Sequence, residues 1–484
     1  MLVAQQPSKV GYTHHQADGN RIVQGEANIG ISKPLDIPLN GPPIWLVGAA
    51  FEDGALWVAV QADGTVEAIK TDQNRWNRVP ILPKSLPSGM PPILQIQNGH
   101  PNLIHPKAEA SQFSHAIGLD NSDRIAFLTI DGDLVIEGSN STLTLPINAL
   151  PDARLITDGG TRLAVLTKPT SRYQHGVLGD AIEAAGITLI TTTPSPQIIR
   201  TIEIPSPWVI EGIAPIWMDL NGDSERELIV TLSSHTDGGK IVVYHEDGTI
   251  AAEGPGIGRG FRWRNQMAVA RYGPNGEIEL SAVKTPHIGG TVEFFRWTEN
   301  RLDLVASIPG FTSHVIRSRN LDLNVSGRFL GTPHPIVLLP NNRRTVLNGI
   351  QHTEEGASVV LDLPIGAQLS SNPASVPLAG GLLAVAIGRN DGMLRVWSPK
   401  VEAPQLSIQV WTLGQLEPEL DLSGKASRSY WIEESHDLAT WERTKLISLS
   451  ETETHQKISV PFDQENTQRF FRAIQAPTAS NTAE

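Results

Sequence analysis

The chain has 484 residues, 40% of them hydrophobic, with a formal net charge of −13 at neutral pH and no cysteine. The acidic balance excludes general nucleic-acid binding, which needs a basic face. Without cysteine there are no disulfide staples, thiolate metal sites or cysteine nucleophiles, and no apolar run approaches the roughly 18 residues that suggest a membrane span.

The first ten residues, MLVAQQPSKV, lack the long apolar stretch behind a basic segment that marks an intact secretory signal. LVAQQ reads equally well as the tail of a removed one. From there the chain repeats one pattern, an apolar strand, a turn and another strand, with 43 glycines and 35 prolines and no long amphipathic helix. The units run over 42–69, 114–138, 152–167, 212–254, 265–297, 318–339 and 376–397. Spacings of roughly 40 to 70 residues match propeller blades, whose small sheets cannot bury both faces alone and so stack around an axis. The expected fold class is all-β: a β-propeller of about seven blades over residues 1–402, with a segment near the N-terminus closing the ring. Asp63-Gly64, Asp131-Gly132, Asp247-Gly248 and Asp391-Gly392 read as two-residue type I′ hairpin turns joining the two outer strands of their blades.

Three segments carry more polar and special residues than a blade requires: TSRYQHGVLGDAIEA (170–184), GPGIGRGFRWRNQ (254–266) and KTPHIGG (284–290). They supply Arg172, His175, Asp180, Arg259, Arg262, Trp263, Arg264 and His287 as ligand-binding candidates. Arginines would grip a carboxylate or phosphate, and Trp263 would stack on a sugar ring. If the chain is an enzyme, His175 and His287 are the acid–base candidates and Arg264 the electrostatic stabiliser. The competing reading is structural, with arginines satisfying carbonyls and Trp263 filling between sheets. GPGIGRG lacks the βαβ context of a nucleotide-binding loop.

Between strands, PIWMDLNGDSERELIV (215–230) sets Asp219, Asn221, Asp223 and Glu227 at loop positions 1, 3, 5 and 9, with the Glu225 carbonyl at position 7. Closely spaced oxygens of this kind suit calcium; the alternative is a solvated Asx-rich turn. Val230 at position 12 and the absence of flanking helices exclude an EF-hand. The segment resembles the FG-GAP (VCBS) repeat of integrin α-like propellers, D-x-[DN]-x-D-G-x-x-D between two strands. That resemblance implies Ca2+ held by Asp219, Asn221, Asp223, Glu225 and Glu227. Ser224 replaces the usual glycine and Glu227 the final aspartate. LDNSDRIAF (119–127) and LDLNVSGRFL (321–330) look like worn copies.

After WSPKVEAPQ the composition changes, and residues 403–476 read as a small antiparallel β-sandwich with Tyr430, Ile432, Trp441, Phe470 and Phe471 in its core. YWIEESHDLATWERTKLI followed by RFFRAI resembles a fibronectin-like accessory module of exported bacterial proteins. A disordered tail is expected at 477–484. Two functions follow as expectations. One is a non-catalytic, calcium-stabilised binding or adhesion propeller, exported or surface-associated and monomeric, for a carbohydrate or protein surface ligand. The other is a carbohydrate-active enzyme of lyase or dehydratase type, with its site at the channel mouth. A WD-repeat scaffold is weaker: DGMLRVW fits one strand, but the Gly-His signature is missing.

Overall fold

A computed structural model describes residues 9–11, 20, 22–72, 75–105, 110–119, 124–378, 381–399, 405–408, 419–424, 428–450, 453–459 and 469–476. The tail at 477–484 and residues 120–123 of the first worn loop copy lie outside them. Among the described residues there is no α-helix, only a 3-10 turn at Ile29–Ile31. The chain divides into two units, one of residues 1–378 and 383–399 and one of 379–382 and 400–484.

In the first unit, sheet A contains Pro43–Phe51, Gly54–Gln61, Val66–Asp72 and Arg75–Arg78. A three-stranded sheet B follows, in which Leu94–Gln97 pairs with Lys9–Gly11 on one side and His100–Leu103 on the other; sequence reading passed over this stretch because its strands are short. Sheet C (Ile117–Gly118 to Thr142–Pro146) has four strands, and the next thirteen strands form one hydrogen-bonded sheet. It divides into four-stranded parts D (Ile156–Thr157 to Gln197–Glu203), E (Ile216–Met218 to Ile250–Glu253) and F (Arg264–Ala270 to Arg301–Pro309), with Val209–Ile210 joining D to E and Glu253 opposite Arg301 joining E to F. Sheet G runs from Val325–Arg328 to Gly356–Pro364, with Ile22–Glu26 added in parallel. Sheet H joins Ala374–Pro377, Leu383–Gly388 and Met393–Trp397 to Leu35–Pro38, a strand drawn from the other end of the unit.

Each sheet buries a face against the next, because two apolar faces leave water together at about 25 cal/mol per Å². Leu94, Ile96 and Leu103 of sheet B pack on Trp45, Val47 and Val58 of sheet A. Phe127 and Val135 pack beside Ile93 and Ile104, and Leu163, Leu189, Trp217 and Leu228 share one core across C, D and E. The seam between last and first sheets buries Ile37, Leu394 and Val396 with Leu46 and Trp57. Asn372 stands in for a missing strand partner there, accepting from Leu46 N–H at 3.0 Å and donating to its carbonyl at 2.7 Å. The chain is a β-propeller, closed by its own early strand.

The four Asp-Gly turns correct the sequence reading. In each, the glycine N–H donates three residues back: Gly64 to Gln61, Gly132 to Thr129, Gly248 to His245 and Gly392 to Arg389. Only the glycine has positive φ, +77° to +92°. These are three-residue loops, a type I turn followed by a left-handed glycine, not type I′ turns. Three of them join the second and third strands of their sheets; only Asp247-Gly248 joins the outer pair. The dipeptide suits both loops, and strand register decides between them. At Gly64 the glycine is also needed for room, since a Cβ would stand 1.9 Å from the Leu86 carbonyl oxygen.

In the second unit two three-stranded antiparallel sheets, Gln405–Ile408 with Glu419–Ser423 and His455–Ser459, and Glu442–Ser448 with Ser429–Ser435 and Phe470–Gln475, share a core. That core holds Leu420, Leu422, Tyr430, Ile432, Ile447 and Ile458, with Phe471 packed against it. Trp441 departs from expectation: it lies outside that core, its indole N–H donating to the Leu438 carbonyl at 3.3 Å with the Arg472 guanidinium 4.1 Å from its ring centroid. The SHDLATW turn explains itself chemically. Asp437 accepts from the N–H groups of Ala439 and Thr440 at 2.8 and 2.7 Å, and these bonds hold its carboxyl well below the usual range.

Candidate functional site

The acidic loop joins Ile216–Met218 to Glu227–Ser234, which pair antiparallel with Met218 opposite Glu227. Asp219 accepts from Gly222 N–H at 2.6 Å and Ser224 N–H at 2.9 Å. Asn221 accepts from Asp223 N–H at 2.9 Å, and Asp223 from Glu225 N–H at 2.7 Å. The backbone therefore folds around its own side chains, as local Asx bonding does. Ser224, where the resembled repeat has glycine, takes φ +74°. Glu225 is exposed, and Glu227 is wholly buried. One Glu227 oxygen accepts from Leu220 N–H at 3.0 Å; the other, Oε1, has no hydrogen-bond partner. Burial first, then the charges of Asp223 and Asp219, push this carboxyl up to about 7. Among the described residues no group of three or more His, Cys, Asp or Glu side chains is set around a point where a metal ion would sit. What fits a cation is the negative charge gathered around a buried, half-satisfied carboxylate; what does not yet fit is the turning of Asp219 and Asp223 towards their own amides.

At one mouth of the ring the loops before and between the strands of sheets D, E and F converge. His175 Nδ1 is hydrogen-bonded to Glu211 Oε1, Ser233 donates to the other Glu211 oxygen, and Glu211 is wholly buried. The Glu211 carbonyl accepts from the Trp263 indole N–H at 2.9 Å. Phe261 stacks on His175 at 5.1 Å and touches the Tyr173 and His235 rings at 5.1 and 4.8 Å. His287 lies over Trp263 at 6.0 Å and bonds through Nε2 to His314 Nδ1 at 2.8 Å. His314 Nε2 stands 2.7 Å from the Ser318 carbonyl, which can only accept, so that nitrogen carries the proton. In neutral His314 the Nδ1 then accepts, and His287 donates. Burial keeps both rings neutral, holding His314 down to about 3 and His287, next to His175, down to about 4.

Beneath them Glu183 is buried with one oxygen unpartnered. Burial, then the charges of Glu211, Asp152 and Asp180, raise its carboxyl well above the ordinary range. Asp180 pairs with Arg319 at 2.6 Å, and Arg319 reaches Asp152 at 3.1 Å. Together with the bond from Arg317 N–H to the Val177 carbonyl at 2.8 Å, this pair ties loop 171–182 to the connector 310–320.

Of the ligand candidates, His175, Trp263 and His287 come together, while the rest serve the fold or the surface. Arg172 donates to the carbonyls of Ile204 (2.8 Å) and Trp208. Arg264 is buried against Glu293 at 2.7 Å and the carbonyls of Gly239 and Pro255, so it is not free to stabilise a reaction. Arg259 and Arg262 are exposed. Trp263 is only 2% exposed, packed with Val177, Leu178, Ile213 and Leu321, so it offers no face to a sugar. Glu211, His235, Phe261 and His314 were not among the ligand candidates. A lone acid inside the apolar run WVIEGIAPIW was the available signal for Glu211. Ile182 (45%), Phe261 (42%), Ile288 (67%) and Ile316 (60%) stand exposed on these same loops.

No family model matches the chain, and no curated protein does. Solved structures with a similar fold include BamB from Moraxella catarrhalis, 11% identical, covering 79% of this chain and 98% of that one, with a TM-score of 0.37. The Myceliophteria thermophila Cps50 (Swd1) β-propeller domain is 12% identical, covering 76% and 100%, with a TM-score of 0.38. A europium-containing methanol dehydrogenase is 9% identical, covering 79% and 90%, with a TM-score of 0.46. Each likeness concerns the fold alone.

Proposed function

We propose that the chain is a non-catalytic binding propeller of an exported or surface-associated bacterial protein, stabilised by calcium at 219–227, with the loops of sheets D to F as its partner-binding face. The observation that carries this reading is the set of four exposed apolar side chains, Ile182, Phe261, Ile288 and Ile316, on loops bonded to or packed on one another. Exposed apolar side chains on adjoining loops favour a protein surface over a sugar as ligand. The titratable groups below are committed elsewhere: His175 to Glu211, and His287 to His314. Resemblance of the second unit to a fibronectin-like accessory module supports export.

The test is capture from the source cell's envelope extract on immobilised full chain. A partner retained by wild type and by Ile250→Asp, an exposed apolar control in sheet E, is expected to be lost from the double variant Phe261→Asp/Ile288→Asp. The same captured set on all three would sink the reading.

Calcium has its own test. A divalent ion would neutralise the charge around the half-satisfied Glu227, and Asp219, Asn221, Asp223, the Glu225 carbonyl and Glu227 would hold it after a modest turn of the two aspartates. At a calcium level a hundred times Kd the folded state should gain about 2.7 kcal/mol, read as a higher melting temperature that a chelator reverses. Asp223→Ala should melt alike with and without calcium; a wild type that also ignores calcium removes the metal from the proposal.

The carbohydrate-active alternative draws on one observation, a His175–Glu211 pair and a His287–His314 pair in the neighbourhood of Glu183, whose carboxyl burial raises well above the ordinary range. Turnover of a uronate polymer that His287→Ala abolishes would favour it; an inactive wild type on a panel of such polymers would dismiss it.

A further inference from the structure

The same mouth has another half, away from the histidines. Trp45, Phe113, Arg319, Leu323, Arg344 and Leu369 help to line a cavity of about 340 Å³, within the range of small-molecule sites. Its walls come from the first strand of sheet A, from the segments leading into sheets C, G and H, and from the turn between Ile336–Pro340 and Val346–Thr353 of sheet G, which carries Arg344, so the cavity exists only once the ring has closed.

Charge is unevenly settled there. Arg319 is neutralised by both Asp152 and Asp180, and its guanidinium rests 4.2 Å from the Phe113 ring centroid. Arg344 has no carboxylate paired with it among the described residues. Burial alone holds it below the ordinary value of an arginine. Behind Trp45, with its guanidinium carbon 5.5 Å from that ring centroid, stands Arg154. It is wholly buried, and none of its three side-chain nitrogens has a hydrogen-bond partner. A buried guanidinium without acceptors is costly, and it adds positive potential to the wall, offset in part by Asp322 and Asp152.

We propose that this cavity binds a small organic anion with one carboxylate and a flat apolar body. Arg344 takes the carboxylate through its two-pronged donor face, and Trp45 and Phe113 line the space for the body. One uncompensated cation in the lining calls for one negative charge. A phosphate dianion would leave charge unmatched in a part-buried setting.

The probes are 2-naphthoate and its neutral amide, 2-naphthamide, titrated into the full chain and followed by saturation-transfer NMR. Naphthoate is expected to bind saturably at one site, about tenfold or more tighter than the amide, the scale of a charge-assisted hydrogen bond. Arg344→Gln should bring naphthoate down to the amide's level. Arg343→Gln, an exposed neighbour, should leave the preference intact. No ion pair of the fold uses Arg344 among the described residues, so both variants should melt as wild type does. Equal affinity for acid and amide, unsaturable naphthoate binding, or a preference that survives Arg344→Gln would overturn the proposal. None of these readouts depends on a protein partner or on calcium.

Discussion

Replacing Ile37 by aspartate should open the ring and abolish the cooperative melt of the propeller. Leu35–Pro38 is the last strand of sheet H although it precedes sheet A in the chain, and Ile37 lies opposite Leu394 in that pairing. Its side chain is wholly buried among Leu46, Trp57, Val376 and Val396, which belong to both sides of the seam. Losing the aliphatic group costs about 2–5 kcal/mol, and a carboxylate left in its place adds a desolvation penalty of at least a few kcal/mol. Together they approach the roughly 5–15 kcal/mol that holds a domain folded. Ile37→Val should cost only about 1 kcal/mol, so a thermal melt of the three proteins separates packing from polarity. A melt of Ile37→Asp that matched wild type would mean the early strand does not hold the ring shut. The same strand carries Asp36, paired with Arg389 at 3.0 Å and Arg395 at 2.6 Å. Bonding to Arg395 is the main cause that keeps its carboxyl below the ordinary range.

Acid should destabilise the propeller through His314, and His314→Gln should remove that part of the loss. Burial holds this imidazole down to about 3 against 6.5 in a free side chain. Its stabilising contribution is therefore whole above pH 6.5 and disappears as pH falls from there towards 3, because the unfolded chain takes up the proton first. Between pH 7.5 and 5 the loss is about 2 kcal/mol for one such group. Wild type alone cannot isolate it: Glu183, Asp152 and Glu227 have raised values, and raised carboxyls gain stability on acidification. The informative quantity is the difference between proteins. Urea unfolding at both pH values should show His314→Gln losing about 2 kcal/mol less than wild type on acidification. Identical pH dependence in the two proteins would mean that His314 is not the buried neutral group described above.

Much of the architecture is legible in the order of residues. Strand propensity and alternation work over a few residues, so the apolar runs that became sheets A, C, D, E, F, G and H stood out, as did the change of pattern after residue 400. Sheet B escaped notice because its strands have four residues or fewer and stand only with neighbours on both sides. The Asp-Gly turns were found as turns but misassigned in type and, for three of the four, in the strands they join, since both depend on the register of strands the dipeptide does not contain.

The candidate site was legible only in fragments. Segments rich in Arg, His and Trp marked the right loops, yet could not tell His175, which meets Glu211 across 36 residues, from Arg264, which a buried Glu293 claims across 29. His287 was visible in its motif; His314, its partner across 27 residues, looked like an ordinary loop histidine.

By itself, the order of residues determined that this chain forms small twisted sheets, where their turns fall, and that one loop gathers carboxylates tightly enough to need either its own amides or a cation. Which side chains meet at the axis, which arginines remain uncompensated and where a cavity survives were decided by ring closure alone. Local rules act over two to five residues, whereas the axis is lined by segments hundreds of residues apart, such as Ile44 and Asn320, joined at 3.0 Å. Their meeting depends on the number and tilt of every sheet between them.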